Sequence, residues 1–133
     1  DSDPLVCGYI AAVFSILGHM FPIYFKFRGG KGVATALGVT TALAWQTFPI
    51  VMIPFVIIVA VSKMISLGSI ISAVILPIAT YFVYYFWYPE CSPVVPTVAT
   101  AVIALLIIFM HRTNIKRMVR GEENKLGVKK SDE

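Results

Sequence analysis

Two polar segments of the chain contain residue types that could do chemistry, and the first is a glycine loop around Lys31. Gly29, Gly30 and Gly32 surround this lysine, and Arg28 precedes them. Glycines let a backbone turn its N–H groups toward one point, and a concave loop of this kind at the start of a helix binds anions. Lys31 adds a positive charge, and the guanidinium of Arg28 suits a phosphate. The pattern predicts a phosphate site, with a flexible basic connector between two membrane helices as the alternative.

The second polar segment begins at His111 and is rich in basic residues. If a helix continues through it, His111 and Asn114 lie three residues apart on one face. At a membrane boundary His111 could accept a proton near neutral pH, and Asn114 could bind a substrate hydroxyl or hold the imidazole. A basic anchor for anionic lipid headgroups is the alternative, and these residues alone leave both functions open.

A further histidine, His19, lies near the end of the first apolar run. An ionisable group at that depth is costly unless it faces protein or water. Two roles therefore compete for His19: a side chain satisfied by a neighbouring carbonyl, and a side chain that orients substrate.

The composition indicates that lipid is the solvent of this chain. Of its 133 residues 58% are apolar and only 14% are charged, whereas soluble domains are about one quarter charged. The basic residues are concentrated in two places, with three of the 11 at positions 26–31 and seven from Arg112 onward. A nucleic-acid-binding protein would not segregate its charges in this way, so the distribution is interpreted as membrane topology and no nucleic-acid partner is expected.

The apolar runs predict an all-α integral membrane protein. We expect one transmembrane domain over residues 1–133, a bundle of about five membrane segments at 5–25, 34–48, 50–62, 67–88 and 94–110 and a cytoplasmic tail at 111–133. The stretch 33–61 could also be one tilted helix, which would place the two basic clusters on opposite faces. Two short helices broken near residues 46–49 place them on one face, as the positive-inside rule favours.

Three blocks of the sequence resemble the bacterial acyl-phosphate:glycerol-3-phosphate acyltransferases of the PlsY family. The blocks are GHMFPIYFKFRGGKGVAT at residues 18–35, SLGSI at 66–70 and HRTNIKRMVRGEE at 111–123. The first and the third are similar to the second and third signature motifs of that family, in the expected order and separation. The resemblance covers essentially the whole chain.

The resemblance implies a multi-pass enzyme of the bacterial inner membrane with its active face in the cytoplasm. It would transfer a fatty acyl group from acyl phosphate to the 1-hydroxyl of glycerol 3-phosphate, which yields lysophosphatidic acid for phospholipid synthesis. The expected partners are these two substrates and membrane lipids. No cofactor and no metal site are expected.

The resemblance also assigns roles to single residues. Lys31, His111 and Asn114 are expected to take part in catalysis, and Glu123 to be structural through pairing with a nearby arginine. Substrate-binding residues would be those of the glycine loop and its neighbours, namely Arg28, Gly29, Gly30, Gly32 and His19. The base could be His111 or an oxygen of a substrate phosphate.

The sequence departs from the family at one point, since the first signature motif, which contributes a serine and an arginine to the active site, is absent. We therefore expect the chain to be the C-terminal part of a seven-helix fold and to be inactive alone. The alternative function is a small membrane transporter or lipid-binding subunit with a cytoplasmic anion site. A transporter would carry charges deep in its spans, yet residues 33–62 and 67–88 contain none.

Overall fold

The computed structural model describes residues 3–26 and 29–128. Within these ranges all regular structure is helical, which confirms the predicted all-α class. The helices are α1 (Pro4–Met20), a short 3₁₀ turn (Ile23–Phe25), α2 (Val33–Leu43), α3 (Thr47–Ser62), α4 (Ile65–Trp87), α5 (Val94–Met110) and α6 (Arg112–Val119).

Helix α1 begins and ends at residues that local chemistry selects. Asp3 caps its start by accepting a hydrogen bond from the Leu5 N–H at 2.9 Å, and Pro4 occupies the first turn, where a missing N–H costs nothing. The helix stops at Met20, two residues before Pro22. The predicted segment 5–25 is therefore too long for a helix, because Pro22 cannot donate to the preceding turn.

The stretch 33–61 forms two helices, so the alternative of one tilted helix is wrong. The break lies at residues 44–46, earlier than the predicted break at 46–49. There the Thr47 hydroxyl donates to the Ala44 carbonyl at 2.5 Å. Pro49 does not break the chain because it lies in the first turn of α3, where prolines are tolerated.

Helix α4 packs along α5 on one side and α3 on the other. Helix α1 packs against α5 and α2. Among the described helices only α4 is by itself long and apolar enough to cross a bilayer, while α5 meets that test together with α6, from which it is bent by 56°. The apolar helices α1, α2 and α3 are shorter. How many of them cross the bilayer stays a prediction.

The end of the bundle near Trp87 is closed by a tyrosine cluster. The Tyr9 hydroxyl donates to the Tyr84 hydroxyl at 3.2 Å, and the Tyr88 hydroxyl donates to Gln46 Oε1 at 3.1 Å. Tyr9 and Tyr84 are almost fully buried. The cluster therefore joins the start of α1, the turn between α2 and α3 and the last turns of α4. The opposite end of the bundle carries the polar segments.

Candidate active site

The glycine loop packs tightly on the last turn of α1. A Cβ added at Gly30 would lie 2.5 Å from His19 Nε2, and one added at Gly32 would overlap the Met20 methyl group. Gly32 also has φ of 76°, a conformation that side chains disfavour, and from it α2 begins. Gly32 is therefore required by its backbone conformation and by its packing on α1, whereas at Gly30 the contact is with the far end of the exposed His19 side chain. The close approach at Gly32 positions Lys31 beside the end of α1.

The other residues predicted to bind substrate at this loop are Gly29, His19 and Arg28. A Cβ at Gly29 would overlap the carbonyl oxygen of His19, so this glycine too is required by packing. His19 is exposed and lies against Gly30, at the edge of the loop. Arg28 lies outside the described residues. The anion-binding role of the glycines stays a prediction, because close packing already explains their presence.

Asn114 is the centre of a buried hydrogen-bond network. Its Nδ2 donates to Ser66 Oγ at 2.6 Å and to Glu123 Oε1 at 2.7 Å, and its Oδ1 accepts from Lys31 Nζ at 2.5 Å. Asn114 is only 3% exposed. One amide therefore joins the loop before α2, the first turn of α4 and the segment after α6, so the two polar segments predicted from the sequence do meet.

Glu123 completes the network on the side away from Lys31. Its Oε1 accepts a hydrogen bond from Ser66 Oγ at 2.7 Å, and its Oε2 accepts from Arg117 Nε at 3.0 Å. The expected pairing of Glu123 with an arginine is thus confirmed. Burial by itself would raise the pKa of Glu123, but hydrogen bonds from Asn114, Ser66 and Arg117 outweigh it and hold this pKa below the usual value.

His111 lies at the bend between α5 and α6 and is 2% exposed. Its Nδ1 is 2.8 Å from the Ile107 carbonyl oxygen. Since a carbonyl can only accept, Nδ1 carries the proton of the neutral ring and Nε2 keeps its lone pair. Burial lowers the pKa of His111, and the charge of Lys31 lowers it further against the opposing effects of the Ile107 contact and Glu123. Both the burial of His111 and the nearby charge of Lys31 therefore favour its neutral form.

Two expectations about this segment are wrong. The helix does not continue straight through it, because α5 ends at Met110 and α6 departs at 56°. Nor does Asn114 hold the imidazole, because its hydrogen bonds in the described part of the chain go to Lys31, Ser66 and Glu123. The backbone of α5 orients His111 instead.

Lys31 faces the network from a partly open position. Burial lowers the pKa of Lys31, an effect that the Glu123 carboxylate opposes and the Arg117 charge reinforces. Its ammonium has one described partner, the amide oxygen of Asn114. A neutral oxygen does not compensate a full positive charge, so an anion that reaches this position would be attracted to it.

A cavity of about 380 Å³ extends from these residues into the bundle, between α2, α3, α4 and α5. Lys31, Ser66 and His111 form its polar end. Hydroxyl groups farther along donate to carbonyls of their own helices, Thr40 to Ala36 and Ser69 to Ile65. The remaining wall is apolar and includes Val33, Leu37, Val51, Phe55, Leu76 and Ile107. Such a cavity suits a molecule with an anionic head and a long apolar chain.

Ser66 is the site residue whose role the sequence did not indicate. Within the resemblance it belonged to a matching block without an assigned function. Ser66 lies in the first turn of α4, with its hydroxyl between Asn114 and Glu123. Three serines at residues 66, 69 and 72 share a helix face along the cavity, a spacing that could have identified this wall.

A family model described as "Glycerol-3-phosphate acyltransferase" matches residues 4–121. The glycerol-3-phosphate acyltransferase of Actinobacillus succinogenes is 36% identical over 140 residues, which cover 97% of this chain and 65% of the relative. That of Shouchella clausii is 40% identical over 126 residues, covering 95% of this chain and 60% of the relative. The chain thus spans between half and two thirds of the length of the first such relatives.

Two crystal structures of PlsY (YgiH), described as an integral membrane glycerol 3-phosphate acyltransferase, share the fold. The lysophosphatidic acid form has a TM-score of 0.71 and 31% identity, over 92% of this chain and 68% of that one. The glycerol 3-phosphate form has a TM-score of 0.70 and 32% identity, over 92% and 67%. With its apolar helices the chain is an integral membrane protein, as its composition predicted. It belongs to the glycerol-3-phosphate acyltransferase family.

Proposed function

We propose that this chain provides the glycine-loop and histidine part of an enzyme that transfers a fatty acyl group from acyl phosphate to the 1-hydroxyl of glycerol 3-phosphate. The observation that carries the proposal is the cavity, with Lys31, Ser66 and His111 at its polar end and apolar walls beyond them. Because the chain spans 65% of the relative from Actinobacillus succinogenes, the activity is proposed for the whole enzyme of which these residues form part.

The two ends of the cavity suit the two parts of an acyl phosphate. Its fatty chain would lie along the apolar wall near Leu76 and Val51, where burial of each methylene contributes about 0.8 kcal/mol. Its phosphate would lie near Lys31 and replace the Asn114 amide oxygen as the partner of the ammonium. The glycine loop, with Arg28 and His19, would bind the phosphate of glycerol 3-phosphate.

The reaction needs few groups because an acyl phosphate is already activated. The 1-hydroxyl oxygen attacks the acyl carbon, the bond from that carbon to the phosphate oxygen breaks, and inorganic phosphate leaves. The hydroxyl proton passes to His111 Nε2 or to a phosphate oxygen. His111 suits the first route because its Nδ1 is directed to Ile107 and its Nε2 is left to accept. Lys31 stabilises the charge that collects on the leaving phosphate.

The orientation of the chain in its membrane is also part of the proposal. Lys31, Lys63 and the basic residues of α6 lie at the site end of the bundle, whereas Asp3 and Glu90 lie near the tyrosine cluster. Under the positive-inside rule this distribution supports a site on the cytoplasmic face, and we propose that the membrane is the bacterial inner membrane. Glycerol 3-phosphate would enter from the cytoplasm and the acyl donor from the lipid.

The test compares two proteins reconstituted in vesicles: the 133-residue chain and a fusion in which the first signature motif of a family relative precedes it. Both are supplied with glycerol 3-phosphate and either palmitoyl phosphate or a palmitoyl thioester. We expect lysophosphatidic acid only from the fusion and only with palmitoyl phosphate, and the Lys31→Ala fusion should be inactive while inserting normally. Transfer from the thioester alone would overturn the proposed donor. A well-inserted fusion that uses neither donor would overturn the proposed function.

A further inference from the structure

Helix α6 has two faces of different chemistry, of which the active site uses one. Its inner face carries Asn114, which is buried in the network described above. On the other side Arg112, Lys116 and Arg120 are all exposed. Residues four apart lie one above the other on a helix, so these three form a single cationic stripe.

The bend at His111 keeps the cationic stripe close to the end of the membrane helix. Helix α6 has eight residues and is therefore about 12 Å long. Because it is inclined by 56° to α5, its far end lies only about 7 Å beyond α5 along the α5 axis. That distance is shorter than the Debye length of about 8 Å at physiological salt. The whole stripe thus remains within electrostatic reach of the membrane surface.

The first residue of the cationic stripe is positioned as an interfacial side chain. The Arg112 guanidinium carbon lies 4.6 Å above the centre of the Phe109 ring, and its Nη1 donates to the Phe109 carbonyl at 3.1 Å. Phe109 lies in the last turn of the apolar helix α5, and its side chain is 55% exposed. An arginine held over an exposed aromatic ring at the end of a span has its stem in the apolar layer and its charge at the headgroups.

The described part of the chain does not neutralise the charges of the cationic stripe. Among residues 3–26 and 29–128 the one ion pair joins Arg117 to Glu123, and both of its members belong to the site network. The stripe residues take no part in it. Three uncompensated cations in a row are complementary to a surface of anionic lipid headgroups.

We infer that Arg112, Lys116 and Arg120 bind anionic phospholipid headgroups and thereby hold α6 against the bundle. Binding of α6 to the lipid surface would also stabilise the site network. The opposite face of this short helix carries Asn114, which contacts Lys31, Ser66 and Glu123. This interaction is separate from acyl transfer and does not require it.

The experiment measures hydrogen exchange of the α6 amides in the chain reconstituted in nanodiscs. One set contains phosphatidylcholine only, and the other contains equal parts of phosphatidylcholine and phosphatidylglycerol. In the mixed discs we expect slower exchange, by about fivefold for each stripe residue and on the order of 100-fold for all three. Added salt should remove the difference, because it screens surface charges.

The triple variant Arg112→Gln/Lys116→Gln/Arg120→Gln should exchange equally fast in the two discs. Lys125→Gln, which removes one charge outside the stripe, should behave like the original chain. Equal exchange of the original chain in both discs, or a difference that survives in the triple variant, would overturn the inference. If the triple variant does not fold, the three single variants provide the test. Each should reduce the difference in exchange rate between the two discs by about fivefold. Single variants that leave this difference unchanged would overturn the inference.

Discussion

The two ends of the helical bundle are both closed by buried polar side chains, but with different chemistry. At the tyrosine end the hydroxyls of Tyr9 and Tyr84 pair across 75 residues of sequence, and their rings pack edge to face with centroids 6.1 Å apart. At the site end Lys31 meets Asn114 across 83 residues, next to a carboxylate and a cavity of about 380 Å³. The tyrosine end is held mainly by packing and the site end by charged hydrogen bonds.

This difference separates stability from activity. Removal of a buried aromatic ring lowers the free energy of unfolding strongly, because neighbouring side chains fill the resulting cavity only in part. Charged hydrogen bonds beside an open cavity can exchange a protein partner for a substrate oxygen at little net cost. We therefore expect substitutions at the tyrosine end to lower stability alone. Substitutions at the site end should lower activity, with a smaller loss of stability where a charged hydrogen bond is removed.

The largest effect is expected for His111→Ala in the fusion protein. Loss of a general base lowers a rate by about 100- to 10,000-fold, and Nε2 of His111 is the neutral acceptor at the polar end of the cavity. The rate of lysophosphatidic acid formation from palmitoyl phosphate measures this effect. An unchanged rate would assign the base to a phosphate oxygen and leave His111 a structural role.

The pH profile sharpens the same prediction. Burial holds the pKa of His111 below 6.5, so the neutral base should persist at pH 7 and activity should fall only as the pH drops below 6.5. Stability should fall over the same range, because the unfolded chain binds the proton first. The His111→Ala protein should lack this acidic limb of the profile. An acidic limb centred above pH 6.5 would contradict the assignment.

The next largest effect is expected for Tyr84→Ala at the other end. Tyr84 is 2% exposed, and removal of a buried aromatic ring costs about 3–5 kcal/mol of unfolding free energy. Thermal unfolding in detergent measures the loss. The neighbouring Tyr85 is 59% exposed, so Tyr85→Ala is the matched control and should cost much less. Equal losses in the two variants would show that packing does not hold this end.

Glu123→Gln tests whether charge holds the site end together. A hydrogen bond to a charged group contributes about 2 kcal/mol to the free energy of unfolding. The neutral amide of this variant would lose the ion pair with Arg117, so the variant should be less stable. The exposed neighbour Glu122 provides the control Glu122→Gln, which should change little.

Acid titration gives the sign of the Glu123 contribution. The pKa of Glu123 is held below its usual 4.5. Its contribution is therefore complete above pH 4.5 and is lost as the pH falls through the lower pKa of the folded state. Glu123→Gln should lose this acid dependence and Glu122→Gln should keep it. The same acid dependence in both variants would mean that the charge of Glu123 does not stabilise the site.

The sequence predicted the helical class from its apolar runs and the meeting of the two polar segments from the positive-inside rule. Apolar runs leave few alternatives to helices in lipid, and the matching blocks around Lys31 and His111 are long. Helix ends were less predictable. Pro49 was expected near a break but is accommodated in the first turn of α3, so the chain breaks at residues 44–46 instead.

The hydrogen-bond partners of the site residues were the least predictable feature, because they depend on tertiary contacts. Asn114 was considered as a partner of the His111 imidazole, yet packing directs its side chain to Lys31, Ser66 and Glu123. Its expected contact with a substrate stays a prediction. The glycines around Lys31 suggested an anion loop, while the structure adds a packing reason at Gly32, which lies against Met20. In neither case does residue spacing along the chain reveal which helix lies opposite.

The smallest effect is expected for Tyr9→Phe, which removes one hydroxyl and keeps the ring. The hydrogen bond from Tyr9 to Tyr84 is 3.2 Å long and buried, and such a bond contributes about 1 kcal/mol. We expect a slightly lower melting temperature and an unchanged rate of acyl transfer in the fusion, because the tyrosine cluster lies at the far end of α4 from Ser66. A loss of rate without a matching loss of stability would mean that the two ends are coupled through α4, and the division between them would then fail.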